Sequence, residues 1–178
     1  MQSYTCLFLF LFSSFFVACI DTKQQQDKTK EVVVKHLFSN NVDADIFRLH
    51  AKGNDILKGR IFFTITTAKG ELIHSESFDG YSLIDYGLAE KNANPTDDDR
   101  RAYIRKRMQL FFDKESFLIP AIKPAENFEA QYSKKAYWES IKKDPTAIGF
   151  YYLIGSEDGR SIAYSKELKK VVMYFNCC

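Results

Sequence analysis

Residues 45–78 read DIFRLHAK-GND-ILKGRIFFTITT-AKG-ELIHSESF: three patterned runs separated by two turn signals. In the middle run Leu57, Gly59, Ile61, Phe63 and Ile65 share one face, opposite Lys58, Arg60, Phe62, Thr64 and Thr66. A period of two marks a half-buried strand. The first run alternates in the same way, with Phe47, Leu49 and Ala51 opposite Ile46, Arg48, His50 and Lys52. Gly53-Asn54-Asp55 and Ala68-Lys69-Gly70 carry turn chemistry, so the three runs read as an antiparallel meander. Upstream, residues 31–38 (EVVVKHLF) hold three consecutive valines, which favour a strand before the break at Ser39-Asn40-Asn41.

Downstream, residues 79–94 read as loop. Thr96 with Asp99 forms a capping-box pattern, and Asp97, Asp98 and Asp99 suit the positive end of a helix dipole. Ile104, Met108, Phe111 and Phe112 then continue a helical stripe to about Lys114. Pro120 and Pro124 bound a loop, and residues 133–143 (SKKAYWESIKK) predict a second helix ended before Pro145. Three strands close the chain: 147–154, 160–165 and 170–177, joined by GSEDG and KELK turns. The expected fold class is α+β: an antiparallel sheet of about six strands, as two three-stranded meanders. Two helices inserted between the meanders pack on one face.

The chain has 178 residues, of which 46% are hydrophobic and 27% charged. That is a globular composition and excludes collagen-like, coiled-coil and wholly disordered classes. A net charge of +2 gives no electrostatic footprint for nucleic acid.

The N-terminus reads as an address. Residues 1–18 contain no Asp, Glu, Lys or Arg, and Cys6 to Ala18 (CLFLFLFSSFFVA) is the length of a secretory h-region. The run is short for a membrane span, which takes about 20 apolar residues. It ends at Phe16-Val17-Ala18-Cys19, which resembles the lipobox of bacterial lipoproteins. The resemblance implies cleavage before Cys19 and acylation of its thiol. The bilayer would then be a partner, held by acyl chains that each contribute about 0.8 kcal/mol per buried CH₂. The alternative is an uncleaved anchor helix over about residues 4–20. The organisation expected is therefore a signal peptide over 1–18, a lipidated Cys19 with a flexible tether to residue 30, and one α+β domain over 31–178. The tether (IDTKQQQDKTK) is too polar to fold alone and reaches at most about 38 Å. Ile20 rather than Asp follows the cysteine. By resemblance to the lipoprotein sorting rule this implies the outer membrane, facing the periplasm. Residues 149–178 are similar to the C-terminal part of small uncharacterised lipoproteins of Bacteroidota-type bacteria. That resemblance implies no activity.

Few residues suggest chemistry. Cys177 and Cys178 would be the only thiols left in a lipidated mature chain. They could stand as one buried and one exposed thiol, a vicinal disulfide, an intermolecular bridge or half of a soft-metal site. Two thiols alone do not complete a tetrahedral zinc site. His36, His50 and His74 have no metal-binding spacing. Gly159-Arg160-Ser161-Ile162-Ala163 lacks the second glycine and the following helix of a nucleophile elbow. Ser140 and Lys143 match S-x-x-K at a helix end, without companion motifs. The Asp97–Asp99 run lacks calcium-loop spacing. The basic set Arg100, Arg101, Arg105, Lys106 and Arg107 suits a solvated helix face, with binding to anionic lipid or acidic glycan as the functional alternative. The least ordinary feature is aromatic. Tyr151, Tyr152, Tyr164 and Tyr174, with Phe150 and Phe175, occupy both faces of the last three strands. If one face is bare, the tyrosines form a partner surface; if the N-terminal meander covers it, they form core.

No catalytic residues, cofactor or metal are expected. The leading expectation is a non-enzymatic envelope lipoprotein that binds an envelope protein or small ligand. A hydrolase with a loop-built site and an inhibitor or immunity-type lipoprotein are the alternatives.

Overall fold

The computed structural model describes residues 30–177. Two antiparallel four-stranded sheets carry the fold. The first runs β1 (Glu31–His36), β2 (Asp45–Lys52), β3 (Arg60–Thr66) and β4 (Leu72–Asp79) in spatial order. A 3₁₀ turn (Gly80–Leu83), a short helix α1 (Tyr86–Lys91) and the longer α2 (Asp97–Leu110) follow. The second sheet runs β5 (Phe117–Leu118), β6 (Gly149–Ile154), β7 (Asp158–Ser165) and β8 (Lys170–Cys177), with α3 (Lys135–Lys142) between β5 and β6.

The class is α+β, as expected, but the details differ. There are eight strands in two sheets rather than about six. The valine run joins the first meander as β1, because Val32 and Val34 pair with Leu49 and Phe47 and pack on the core. β5 is two residues long and pairs Phe117 with Phe150, too short to show a period. The stretch 79–94 contains α1, whose N-cap Asp85 accepts from the Gly87 N–H. The two longer helices do not share a face. α2 lies in the main core, whereas α3 covers the opposite face of the second sheet.

The inner faces of the two sheets meet in one aromatic core. Phe47, Leu49, Ile61, Phe63 and Ile65 enter it from β2 and β3, on the faces the alternation assigns. Phe150, Tyr152, Ile154 and Ile162 enter from β6 and β7. Ile104 and Met108 of α2, then Phe111 and Phe112 just past its end, close one side. Phe63 alone contacts the rings of Phe47, Phe111, Phe112, Phe150 and Tyr152 at centroid distances of 5.4–6.3 Å. Most of these pairs are tilted or edge-on, the geometry that the ring quadrupole favours.

The carboxylate that faces inward from the first sheet is paired. Register places Glu76 of β4 opposite Phe63, so its carboxylate points between the sheets. Tyr152 donates its hydroxyl to Glu76 Oε2 at 2.6 Å, and Arg160 pairs with both Glu76 and Asp158. His74 Nε2 stands 3.8 Å from Glu76 Oε2. Burial opposes ionisation of Glu76, but the His74 contact, the Tyr152 hydrogen bond and the Arg160 charge outweigh it. Its carboxyl is held below the usual range. Burial and the Glu76 charge push the Tyr152 hydroxyl far above the usual range, so it stays a donor.

Asp55 ties the β2–β3 turn to α2. Its carboxylate accepts two hydrogen bonds of 2.9 Å from Arg101 and one of 3.0 Å from the Leu57 N–H. Hydrogen bonding from Arg101 first, then from Leu57, lowers the Asp55 carboxyl to about 2. A folded-state pKa below the unfolded value gives stability that is present above pH 4 and is lost as pH falls through about 2. The pair is partly exposed, with 28% of the Asp55 side chain accessible, so solvent screens it to on the order of 1 kcal/mol. The Asp55→Asn variant is expected to be less stable than wild type by about that amount at neutral pH. The difference should shrink between pH 4 and pH 2, as read by urea denaturation.

Candidate functional site

The second sheet has an outer face, turned away from the aromatic core, and that face is only half covered. Ala163, Val172 and Tyr174 point outward and are buried beneath α3 and the segment before it, chiefly by Ile141, Ala121 and Ile122. α3 presents Ile141 to the sheet and half-buries Tyr137 and Trp138 at its margin. Farther along the same face Tyr151, Leu153, Gly159 and Phe175 line an open hollow to which α3 contributes no described residue, and Tyr151 is 38% exposed. Tyr151 lies against Gly159, where a Cβ would meet its hydroxyl at 3.0 Å.

At the boundary between the covered and open halves lies a cleft of about 460 Å³. Its floor is sheet: Ser161, Tyr174 and Phe175. Its far wall is Leu118 of β5 and the irregular chain 119–133, carrying Glu126, Asn127, Glu129 and Tyr132. Trp138 of α3 closes the third side. Among the described residues that line it, two are Glu and none is Lys or Arg.

The walls are held by specific contacts. Tyr174 donates its hydroxyl to the Ala121 carbonyl at 2.9 Å, and the Ala121 N–H donates to the Ala147 carbonyl at 2.8 Å. The Asn176 N–H reaches the Tyr132 carbonyl at 2.8 Å, which pins the far end of the irregular wall to β8. Lys142 extends its ammonium to the carbonyls of Lys123, Pro124 and Glu126 at 2.7, 2.9 and 3.0 Å. The same ammonium lies 5.3 Å from the centre of the Trp138 ring. Phe128 meets Trp138 edge-on at 5.8 Å, and Tyr132 meets Phe175 at 5.5 Å. Burial pushes the Tyr174 hydroxyl well above the usual tyrosine range; nearby Ser161 opposes this and the Glu126 charge adds to it. Tyr174 therefore remains a neutral donor. The arrangement suits binding: aromatic walls, a hydroxyl floor and a negatively charged rim around a volume typical of small-ligand sites.

The residues singled out in the sequence fall elsewhere, with three exceptions: Tyr174, Phe175 and Ser161 line the cleft. The four tyrosines do not form one surface. Tyr152 and Tyr174 are buried, at 3% and 4% exposure, on opposite faces of the sheet; Tyr164 is half-buried against the main core, leaving Tyr151 the exposed one. The first sheet covers the inner aromatic face, which is why a common tyrosine patch does not exist. Ser161 is buried within β7, paired with Phe175, rather than raised on a strand-to-helix turn. Ser140 is buried and donates to the Tyr137 carbonyl. His36 stacks on Phe117, His50 is exposed on β2, and His74 faces Glu76; they do not meet. No group of three or more His, Cys, Asp and Glu gathers as a metal site among the described residues. The aspartates 97–99 cap α2: Thr96 Oγ1 accepts from the Asp99 N–H, and Asp99 accepts from the Thr96 N–H. Arg100 and Arg101 pair with Asp97 and Asp98, and Arg107 stands 3.3 Å from Asp85. Cys177 ends β8 opposite Gly159 and is disulfide-bonded. Cys19 and Cys178 lie outside the described residues.

Glu126, Glu129, Tyr132 and Trp138 were not singled out in the sequence. The available signal was the chain's single Trp, with Phe128, Tyr132 and Tyr137 beside it, in a stretch without period.

Gly149 makes the covered half possible. A Cβ there would stand 2.3 Å from the Tyr174 hydroxyl and 3.1 Å from Ala121. The Gly149→Ala variant is expected to lose roughly 1–3 kcal/mol by overpacking. Tyr174→Phe removes the atom most in conflict. The double variant should therefore lose less than the sum of the two single losses, a coupling that urea denaturation of the four proteins measures.

The chain matches no protein-family model, no curated protein and no solved structure. The reading of the cleft therefore rests on its own chemistry.

Proposed function

We propose that this protein is a membrane-anchored envelope lipoprotein whose α+β domain binds a ligand or an envelope protein without transforming it. The cleft between α3, the irregular wall and the outer face of the second sheet carries this reading. It is open, aromatic-walled and built on a rigid sheet, as binding sites are. The anchor rests on sequence. Phe16-Val17-Ala18-Cys19 resembles a lipobox, and the polar stretch after it would serve as a tether. Among the described residues no helix is long and apolar enough to cross a membrane. In this reading acylation at Cys19 is the attachment. By resemblance to the lipoprotein sorting rule, Ile20 after the cysteine supports outer-membrane placement facing the periplasm. The resemblance of residues 149–178 to small Bacteroidota-type lipoproteins belongs to the same proposal.

One observation favours a second reading, an envelope hydrolase. Glu126 and Glu129 share the cleft with the hydroxyls of Tyr132 and Ser133, from the same irregular stretch, and of Ser161 from β7. That reading requires turnover that Glu126→Gln or Glu129→Gln abolishes; a binding protein shows none.

The anchor is tested by the intact mass of protein extracted from membranes without reductant. The expected mass begins at Cys19 and includes an acylated glyceride, and a further loss of two hydrogens would assign the Cys177 disulfide to Cys178. Cys19→Ser should move the protein out of the membrane fraction. A mass beginning at Met1 without lipid, or a bridge from Cys177 to Cys19, would overturn the proposal.

A further inference from the structure

We propose that the cleft recognises a cationic group of its ligand, an amine or guanidinium, held between the Trp138 and Tyr132 rings and the carboxylates of Glu126 and Glu129. This rests on the reading of the cleft as a ligand site and names the chemistry it selects.

Charge is the first argument. The whole chain carries a net charge of +2, yet the described cleft lining has two carboxylates and no Lys or Arg. One ammonium, Lys142, lies beside this lining and is tied to three backbone carbonyls; with two carboxylates a negative excess remains there. Both carboxylates are on exposed residues at the rim, beside the half-buried Trp138. The Glu126 charge already reaches the floor, where it acts on the Tyr174 hydroxyl.

The second argument is the wall itself. Aromatic faces attract cations through the ring quadrupole, Trp most strongly. Here the rings are fixed before any ligand arrives: Phe128 meets Trp138 edge-on and Phe175 braces Tyr132. This protein already places an ammonium on Trp138, because Lys142 stands 5.3 Å from the ring centre while its hydrogens go to backbone carbonyls. Those bonds hold the backbone that carries Glu126, so the carboxylate is presented beside the ring that Lys142 steadies. Glu129 accepts from Gln131 through one oxygen, Oε2, at 3.0 Å.

The third argument is the floor. Ser161 and Tyr174 are neutral hydroxyls, and Tyr174 is committed to the Ala121 carbonyl. They neither repel a cation nor neutralise the rim. A cavity of about 460 Å³ takes one small amine or one long cationic side chain, not a folded domain. The cation could belong to a free polyamine or to an Arg or Lys of a peptide, and the test separates these.

Trp138 is the only Trp in the chain, so its fluorescence reports on this cleft directly. The full chain, in non-ionic detergent, is titrated with spermidine, with the capped peptide Gly-Arg-Gly and with capped Gly-citrulline-Gly, which matches the arginine peptide in shape without its charge. The expected result is a saturable emission change with a cationic probe and none with the citrulline peptide. The apparent Kd should rise about tenfold or more in the Glu126→Gln/Glu129→Gln variant and with added salt. Glu139→Gln, which alters an acid of α3 outside the cleft lining, should leave it unchanged. Saturation by spermidine alone assigns a free polyamine, and saturation by the arginine peptide assigns a peptide side chain. Equal responses to the arginine and citrulline peptides, unaffected by the double variant, would overturn the cationic class while leaving the cleft a ligand site. No saturable change with either cation would overturn the cationic class outright. Neither outcome alters the lipid mass at Cys19, which tests the anchor separately.

Discussion

The contact of Phe63 with rings from both sheets and from the end of α2 is the constraint on which the rest of the structure depends. Phe47, Phe63 and Phe150 are fully buried, and each touches rings contributed by other elements. A buried Phe of this kind is worth roughly 3–5 kcal/mol against Ala. The cluster joins the two sheets face to face and places α2 alongside them. It also consumes the inner face of the second sheet. The outer face, equally apolar near Ala163 and Val172, then needs its own cover, and α3 with the preceding irregular chain supplies it. That cover stops short of Tyr151, Leu153 and Phe175. The cleft is the edge of that cover.

Polar anchors fix where each layer sits. Glu76 on the inner face of β4 is met by Tyr152 and Arg160 from the other sheet. Removing either partner would leave a buried carboxylate short of compensation, which is costly. Asp55 with Arg101 holds the turn of the first sheet to α2. Lys142 does the corresponding work outside the core: one ammonium gathers three carbonyls of the irregular wall. The two sheets thus share one core, and the cleft inherits a rigid floor from it.

Much of this architecture was legible because strand and helix periods are local. The faces of β2 and β3, the Thr96–Asp99 capping box and the hairpin of β6 and β7 all follow from spacing within a dozen residues. The number of sheets was not legible, since Phe63 and Phe150 look alike whether they face helices or each other. Nor was β5, whose two residues have no period, nor the opposite placement of α2 and α3. The candidate site was harder still. Tyr151, Tyr152, Tyr164 and Tyr174 were visible as a cluster, but they divide between the two faces of the sheet, two on each. Glu126, Glu129 and Trp138 come together only through tertiary hydrogen bonds from Lys142, Tyr174 and Asn176. Such bonds leave no pattern in the chain.

The claim beneath all of this is that both sheets form one cooperative core. Native-state hydrogen exchange of the amides of β3 and β7 tests it most directly. A shared core requires the slowest amides of both strands to exchange through the same global opening, with equal free energies that fall together on adding denaturant. If β7 and its neighbours opened separately, at markedly lower free energy than β3, the sheets would be independent units. The rigid floor of the cleft would then be contradicted.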